Sequence, residues 1–192
     1  MAEIDVKIVS ALDRVSQAVR VLLRNKSQSN ALSPIQTQIL IFLLLQPGGS
    51  SRITALAGEF DLTKATVSDS IKSLLHKCLV HKSPDPADER SCTILLTDRG
   101  KEMALKSAGF ISELEKSLDS LNALQKEAIY TGLLQTIFGL HTAGVISVQK
   151  MCLTCIHYES ILGGHSCRLL ESNLTYEMLR LNCTEHSKAT NQ

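Results

Sequence analysis

Seven consecutive apolar residues, ILIFLLL at 39–45, follow the sequence Ser33-Pro34-Ile35-Gln36, and this stretch most restricts how the chain can fold. Ser33 can cap a helix, Pro34 suits its first position, and Gln36 can close a capping box. A helix apolar on every side must lie at the centre of a domain. At seven residues the run is too short to span a bilayer. Other helices are needed to cover it. Only 4% of the 192 residues are aromatic, none is Trp and four are Pro, which points to helices rather than a β-sandwich. A hydrophobic share of 44% suffices for a real core and argues against wholesale disorder.

The surrounding pattern predicts those covering elements. Ile4, Ile8, Leu12, Val15, Val19 and Leu22 recur every three or four residues, one face of a helix over 4–23. Lys26 to Asn30 reads as a polar loop. Pro47-Gly48-Gly49 should stop the central helix. A short helix is expected at 54–59, then a turn at Asp61-Leu62-Thr63. Thr63 is placed to cap the next helix, about 64–79, with Val67, Ile71, Leu74, Leu75 and Cys78 on its inner face. Leu79 to Ser83 and Arg90 to Leu96 read as two strands joined by the turn residues Pro84-Asp85-Pro86-Ala87-Asp88-Glu89. Thr97 should cap a long helix over 98–118. Asn122 and Gln125 resemble a second capping box, opening a last helix that carries Leu124, Ile129, Leu133, Ile137, Phe138 and Leu140.

A short helix, a tight turn, a second amphipathic helix and a hairpin describe a helix-turn-helix with a wing. The outward face of 64–79 is small and polar near its start, as close approach to base edges in a major groove requires. Lys64, Ala65, Thr66, Ser68, Asp69 and Lys72 are the candidate DNA-contacting residues of this helix. Its start also aims backbone N–H groups at a phosphate. Lys64, Lys72, Lys77 and Lys82 against Asp69 make the segment basic within a chain whose net charge is only +1. Arg90, beside the hairpin tip, could enter a minor groove. The plainer reading of the lysines is a solvated helix face, which is common.

The stretch DERSCTILLTDRG at 88–100 resembles the wing signature of MarR-family transcription regulators: an Asp, then Arg-Ser, a strand, then Leu-Thr-x-x-Gly. Residues 63–80 are similar to that family's recognition helix and its exit into the wing, and 33–45 to the helix before it. The similarity covers roughly 4–146. It implies a mainly α fold with a small β-wing, in which the first and last helices interlock two copies. Such a homodimer would bind a pseudo-palindromic operator, usually as a repressor, with a possible small-molecule inducer. The chain departs from the pattern at Cys78, where the family often has Gly, and at Asp69, near which it often has Arg. An acid on the groove face could read cytosine N4 or weaken binding.

The last quarter carries four of the six cysteines: Cys152, Cys155, Cys167 and Cys183. Their spacing is C-x2-C, eleven residues, C, fifteen residues, C. Two thiolates of a C-x2-C turn and two later ones can complete a tetrahedron around structural zinc. His157, His165 and His186 are rival ligands. The same thiolates suit a 4Fe–4S iron–sulfur cluster, and a thiol–disulfide switch through Cys152 and Cys155 is a third possibility. A segment of this size is too small to bury an independent core unaided. A short helix over 169–181 is expected, with Leu170, Leu174, Met178 and Leu181. Cys78 and Cys92 read as packing residues.

The resemblance, with the change in composition near Gln149, implies a winged-helix DNA-binding and dimerisation domain over 1–148 and a cysteine-rich metal-binding extension over 149–192. The acidic start, Met1-Ala2-Glu3-Ile4-Asp5, lacks a secretory pattern, so a cytoplasmic protein with reduced thiols and no membrane partner is expected. A DNA-binding regulator with a structural or sensing metal site leads. A redox or electron-transfer protein, or a winged-helix adaptor without DNA, is the alternative. No H-E-x-x-H, G-x-S-x-G or P-loop supports an enzyme.

Overall fold

The Ser33 hydroxyl accepts the Gln36 amide at 3.3 Å, and the Gln36 side chain accepts the Ser33 amide at 3.2 Å. This reciprocal pair closes the expected box at the head of α2 (Pro34–Leu45). The computed structural model describes residues 3–46, 50–85, 88–147, 150–161 and 164–188, and its packing divides into Met1–Leu118 and Asp119–Gln192. The expected helix stop at 47–49, the turn residues Pro86 and Ala87, and Gln149 lie outside the described residues.

In the first unit α1 (Glu3–Ser29) precedes α2, and β1 (Ser50–Arg52), α3 (Ile53–Glu59) and α4 (Lys64–His76) follow. Then come β2 (Val80–Asp85), β3 (Asp88–Leu96), α5 (Asp98–Ala108), a 3-10 turn at Gly109–Ile111 and α6 (Ser112–Ser117). Ile39, Leu40 and Leu43 of α2 are fully buried among Leu56, Val67, Ile71, Leu74 and Ile94, so α2 is central as its composition requires. Burying each such side chain stabilises by about 1.5–3 kcal/mol. The run is not covered throughout: Leu45 remains 74% exposed. The sheet order is β1-β3-β2, all antiparallel.

Two expectations need correction here, and one strand was not anticipated. The predicted loop at 26–30 is mostly helix, because Ser27 is buried with its hydroxyl donating to Leu23 O at 2.7 Å and meeting Thr37 Oγ1 at 2.9 Å. The single helix expected over 98–118 is broken at the 3-10 turn beginning with Gly109. Residues 50–52 form a strand, paired with Thr93, Ile94 and Leu95 of β3.

Three helices of the first unit end in the same way. After α4 the Cys78 amide donates to Leu75 O at 2.9 Å and the Leu79 amide to Leu74 O at 3.0 Å, a Schellman closure with Leu74 and Leu79 both buried. Ala31 after α1 and Asp61 after α3 repeat this hydrogen-bond pair. All three hold positive φ, 53° at Ala31, 48° at Asp61 and 55° at Cys78. The left-handed region costs a non-glycine residue about 1–2 kcal/mol. Cys78→Gly should therefore raise stability by about 0.5–1 kcal/mol after glycine's extra unfolded-state entropy is subtracted. Urea unfolding checks this, and an unchanged or lower midpoint would count against the strain at Cys78.

The second unit holds α7 (Ala123–Thr142), opened by the Asn122 and Gln125 capping box at 3.0 Å in both directions. A 3-10 turn at Cys152–Thr154 follows, then β4 (Tyr158–Ile161), β5 (Gly164–Cys167), β6 (Ser172–Leu174) and a 3-10 turn at Tyr176–Met178. The strands pair antiparallel in that order. The helix expected over 169–181 is absent, since Glu171 sits at φ 49° and β6 is bonded to β5. Tyr130, Ile137 and Phe138 of α7 pack around buried Leu134, Met151, Leu174 and Leu179. This packing puts α7 in the unit of the cysteines, so the division by contact precedes the compositional one at 148/149.

Candidate nucleic-acid interface and cysteine centre

The second helix of the helix-turn-helix is α4, set by the turn that follows α3. Thr63 caps it, accepting the Thr66 amide at 3.1 Å and meeting the Thr66 hydroxyl at 2.9 Å. Val67, Ser70, Ile71 and Leu74 face inward. Lys64, Ala65, Thr66, Asp69 and Lys72 are exposed, with Ser68 half-buried at the edge of that face. Five of the six expected helix contacts thus lie open to a ligand.

The charge of this face differs from a simple count of lysines. Lys72 Nζ lies 2.9 Å from Asp69 Oδ1, one turn away, and both side chains are over two-thirds exposed. Such an exposed pair is worth little to stability, but it neutralises Asp69 and occupies Lys72. Lys77 donates to Ala31 O at 2.6 Å and to Gln36 Oε1 at 3.2 Å. It ties the end of α4 to the α1–α2 turn and does not belong to the outward basic face. Sequence carries no signal for that bond, whose partners are 46 and 41 residues away. On the wing, His81 and Lys82 of β2 are exposed. Arg90 lies on β3, and its side chain is outside the described residues.

The wing motif has a physical basis in the first unit. Thr97 caps α5, accepting the Gly100 amide at 2.9 Å, while its hydroxyl donates to Cys78 O at 2.8 Å. The Thr97 amide donates to Leu79 O at 3.1 Å. Leu96 is buried, and Gly100 lets α5 approach the Leu79 carbonyl too closely for any side chain. Leu-Thr-x-x-Gly is the clamp that joins the exit of α4, the wing and α5.

In the second unit all four tail cysteines line one small cavity with a largely apolar wall that includes Leu169, Leu170 and Leu174. Cys152 and Cys155 flank the 3-10 turn, and Cys167 sits on the central strand between Tyr158 and Ser172. The Cys183 amide donates to Lys150 O at 2.8 Å and the Cys152 amide to Arg180 O at 3.0 Å, which folds the last segment back over the turn. The Arg180 amide in turn donates to Cys152 Sγ at 3.3 Å. Burial pushes the Cys152 thiol above its ordinary pKa; the Arg180 amide opposes this, and Cys183, Cys155 and Cys167 add to the rise. All six cysteines are free thiols.

The histidine alternates separate. His157 lines the cavity. His165 Nδ1 lies 2.7 Å from the Tyr158 hydroxyl, its ring stacked on Tyr158 and edge-on to Tyr176. His186 Nε2 lies 2.9 Å from Thr154 Oγ1. Among the described residues no three His, Cys, Asp or Glu side chains are placed to share one metal ion.

Helix, turn, capped second helix and a three-stranded wing define a winged helix-turn-helix domain. Residues 36–92 match the model of the MarR family. AbsC, a MarR family transcriptional regulator from Streptomyces coelicolor, is similar in fold at a TM-score of 0.64 and 19% identity, covering 74% of this chain and 97% of that one. The MepR–DNA complex of S. aureus gives a TM-score of 0.59 at 21% identity, with 68% and 96% covered. A second S. coelicolor MarR family regulator, solved in complex with DNA, gives 0.58 at 22%, with 73% and 88% covered. No curated protein matches the chain. The match to the family model lies within the winged-helix segment, and these solved structures share its fold. Among the described residues no helix is long and apolar enough to cross a membrane.

Proposed function

We propose that the protein is a homodimeric repressor acting in the cytoplasm, binding a pseudo-palindromic operator through α4 and the wing. The observation that carries this reading is the exposed α4 face, with Lys64, Ala65 and Thr66 at its capped start. Small residues there allow close approach to base edges, and the helix start favours a phosphate. Lys64 and Lys82 supply phosphate contacts, and Arg90 is assigned to the adjacent minor groove. Relatives of the same fold have been solved with DNA, which supports the same ligand here. A dimer follows from the apolar surface that a single chain leaves open. On α1, Ile4, Ile8 and Val15 are each close to or above half exposed, and on α7 Leu124 is 77% exposed. A second copy is the occupant that would also hold two α4 helices on successive half-sites.

The test is salt-dependent binding of the full chain to DNA from its own promoter region. Affinity should fall steeply as salt rises, because phosphate neutralisation releases counterions. Affinity independent of salt, or absent at low salt, favours an adaptor that does not bind DNA. Asp69→Ala frees Lys72 and removes the acid from the groove face. It should raise affinity several-fold and steepen the salt slope by about one ion, as one more phosphate contact demands. A lower affinity for the operator alone, with unchanged affinity for random DNA, would instead make Asp69 a base reader.

The second unit adds a metal site to this reading. Four thiols from three separate segments line one cavity, which structural packing of small hydrophobes does not require. Cys152, Cys155, Cys167 and Cys183 are its proposed ligands, with His157, which lines the same cavity, as the histidine alternate. A metal group there would stabilise the unit or make it responsive to metal or redox state.

A further inference from the structure

We infer that Lys77 is a positioning residue that fixes the distance between the two α4 helices of a dimer, and so sets which operator spacing is read. This rests on the reading of the protein as a dimeric operator-binding regulator. Lys77 stands where α4 ends, its amide donating to Ser73 O at 3.1 Å. Its ammonium donates to Ala31 O at 2.6 Å and to Gln36 Oε1 at 3.2 Å. Ala31 is the left-handed residue that closes α1, and Gln36 Oε1 is the oxygen that accepts the Ser33 amide in the capping box of α2. One side chain therefore joins the end of α4 to the end of α1 and the start of α2. The last carbonyls of a helix carry partial negative charge, which a cation placed there offsets.

The rest of this junction is polar as well. Ser27 Oγ lies 2.9 Å from Thr37 Oγ1, and Asn30 Nδ2 donates to Ser107 Oγ at 2.8 Å, with all four residues buried. Directional bonds of this kind hold one orientation where apolar packing tolerates several. They fix the last turn of α1 against α2 and α5, and Lys77 extends the same fixation to α4. The angle matters because α1 is long. Its 27 residues span about 40 Å at a rise of about 1.5 Å each. A turn of about 5° at the junction moves the far end of α1 by about 3.5 Å, close to one base-pair step of about 3.4 Å. That far end carries Ile4 and Ile8, exposed side chains of the proposed dimer face. A small rotation between α1 and α4 thus becomes a whole-step error in half-site spacing.

The experiment titrates the full chain against duplexes made from the site footprinted in its own promoter region. They are the unchanged site, the site with one base pair added or removed between the half-sites, and one half-site alone. The parent should prefer the unchanged spacing by at least about tenfold, because a displaced half-site loses the linked second contact. Lys77→Met keeps the aliphatic stem and removes the donors. It should narrow that preference to about threefold or less while leaving half-site affinity unchanged. Lys77→Arg still donates to both oxygens and should keep the preference. Gln36→Glu keeps the capping acceptor, makes the contact an ion pair, and should keep it too. These two variants decide the matter if urea unfolding shows that Lys77→Met does not fold. A parent indifferent to spacing, a full preference in folded Lys77→Met, or a lost one in Lys77→Arg or Gln36→Glu overturns the assignment and leaves DNA binding standing. Equal losses on full and half sites, with a salt slope shallower by about one ion, would make Lys77 a phosphate contact and overturn it as well. A parent that binds none of the duplexes overturns the regulator reading itself, and this inference with it.

Discussion

Gly100→Ala should severely destabilise the Met1–Leu118 unit. A Cβ at this position would lie 1.8 Å from Leu79 O and 2.9 Å from Leu79 C, both backbone atoms. A side chain in the way could rotate; a carbonyl cannot, and this one accepts the Thr97 amide that starts α5. Relief therefore means moving α5 off the α4 exit, which opens the core around Leu79, Leu96 and Ala104. The cost should exceed about 3 kcal/mol, at the severe end of single substitutions. A domain stable by about 5–15 kcal/mol loses a large part of its margin. Circular dichroism with urea measures this, with Gly58→Ala as the control because a Cβ there meets nothing within 4 Å. That variant should be neutral or slightly stabilising, since alanine is the better helix former. A Gly100→Ala chain melting within a degree or two of the parent would disprove the clamp.

The clamp also shows which features sequence reveals. Caps are local chemistry, so Ser33 with Gln36, Thr63, Thr97 and Asn122 with Gln125 were each readable from a few adjacent residues. The central role of α2 followed from composition alone. Features fixed by distant partners were not readable. β1 has no alternating pattern and exists because β3 offers it an edge. Ser27 looks like a loop residue until Thr37 is set beside it. Leu170, Leu174, Met178 and Leu181 have helical spacing, yet pairing with β5 makes Leu174 a strand residue. The candidate sites divide in the same way. The exposure of Lys64, Ala65 and Thr66 follows from the inward face of Val67, Ile71 and Leu74, and the Lys72–Asp69 pair follows from i,i+3 spacing. The diversion of Lys77 to Ala31 and Gln36 does not. For the cysteines, spacing was enough to expect a common site, but only the fold shows that all four line one small cavity.

Ile8→Asp combined with Val15→Asp should convert the protein to a monomer and reduce operator affinity on the order of 10³-fold, about 4 kcal/mol. Both side chains lie on the exposed apolar face of α1, Ile8 51% and Val15 47% exposed in the single chain. Neither belongs to the buried core of α2, α4 and α5, so the fold of the winged unit should survive. A charge on each copy would be buried without a counterion in the dimer, a penalty that association cannot recover. The loss at DNA follows from geometry. One α4 reads a half-site, and the second half-site is held near it only by the partner chain. With the link cut, each winged unit binds alone and retains only its weaker, salt-sensitive attraction to phosphates. Sedimentation gives the mass and an operator titration gives the affinity. Circular dichroism confirms that α1 and the wing are still folded. A folded monomer that binds the full operator as tightly as the parent would show that the two half-sites are not read by a dimer. A variant that remains dimeric would place the interface on a different face, and the exposed side chains of α7, Leu124 and Leu140 among them, would be the next to carry a charge.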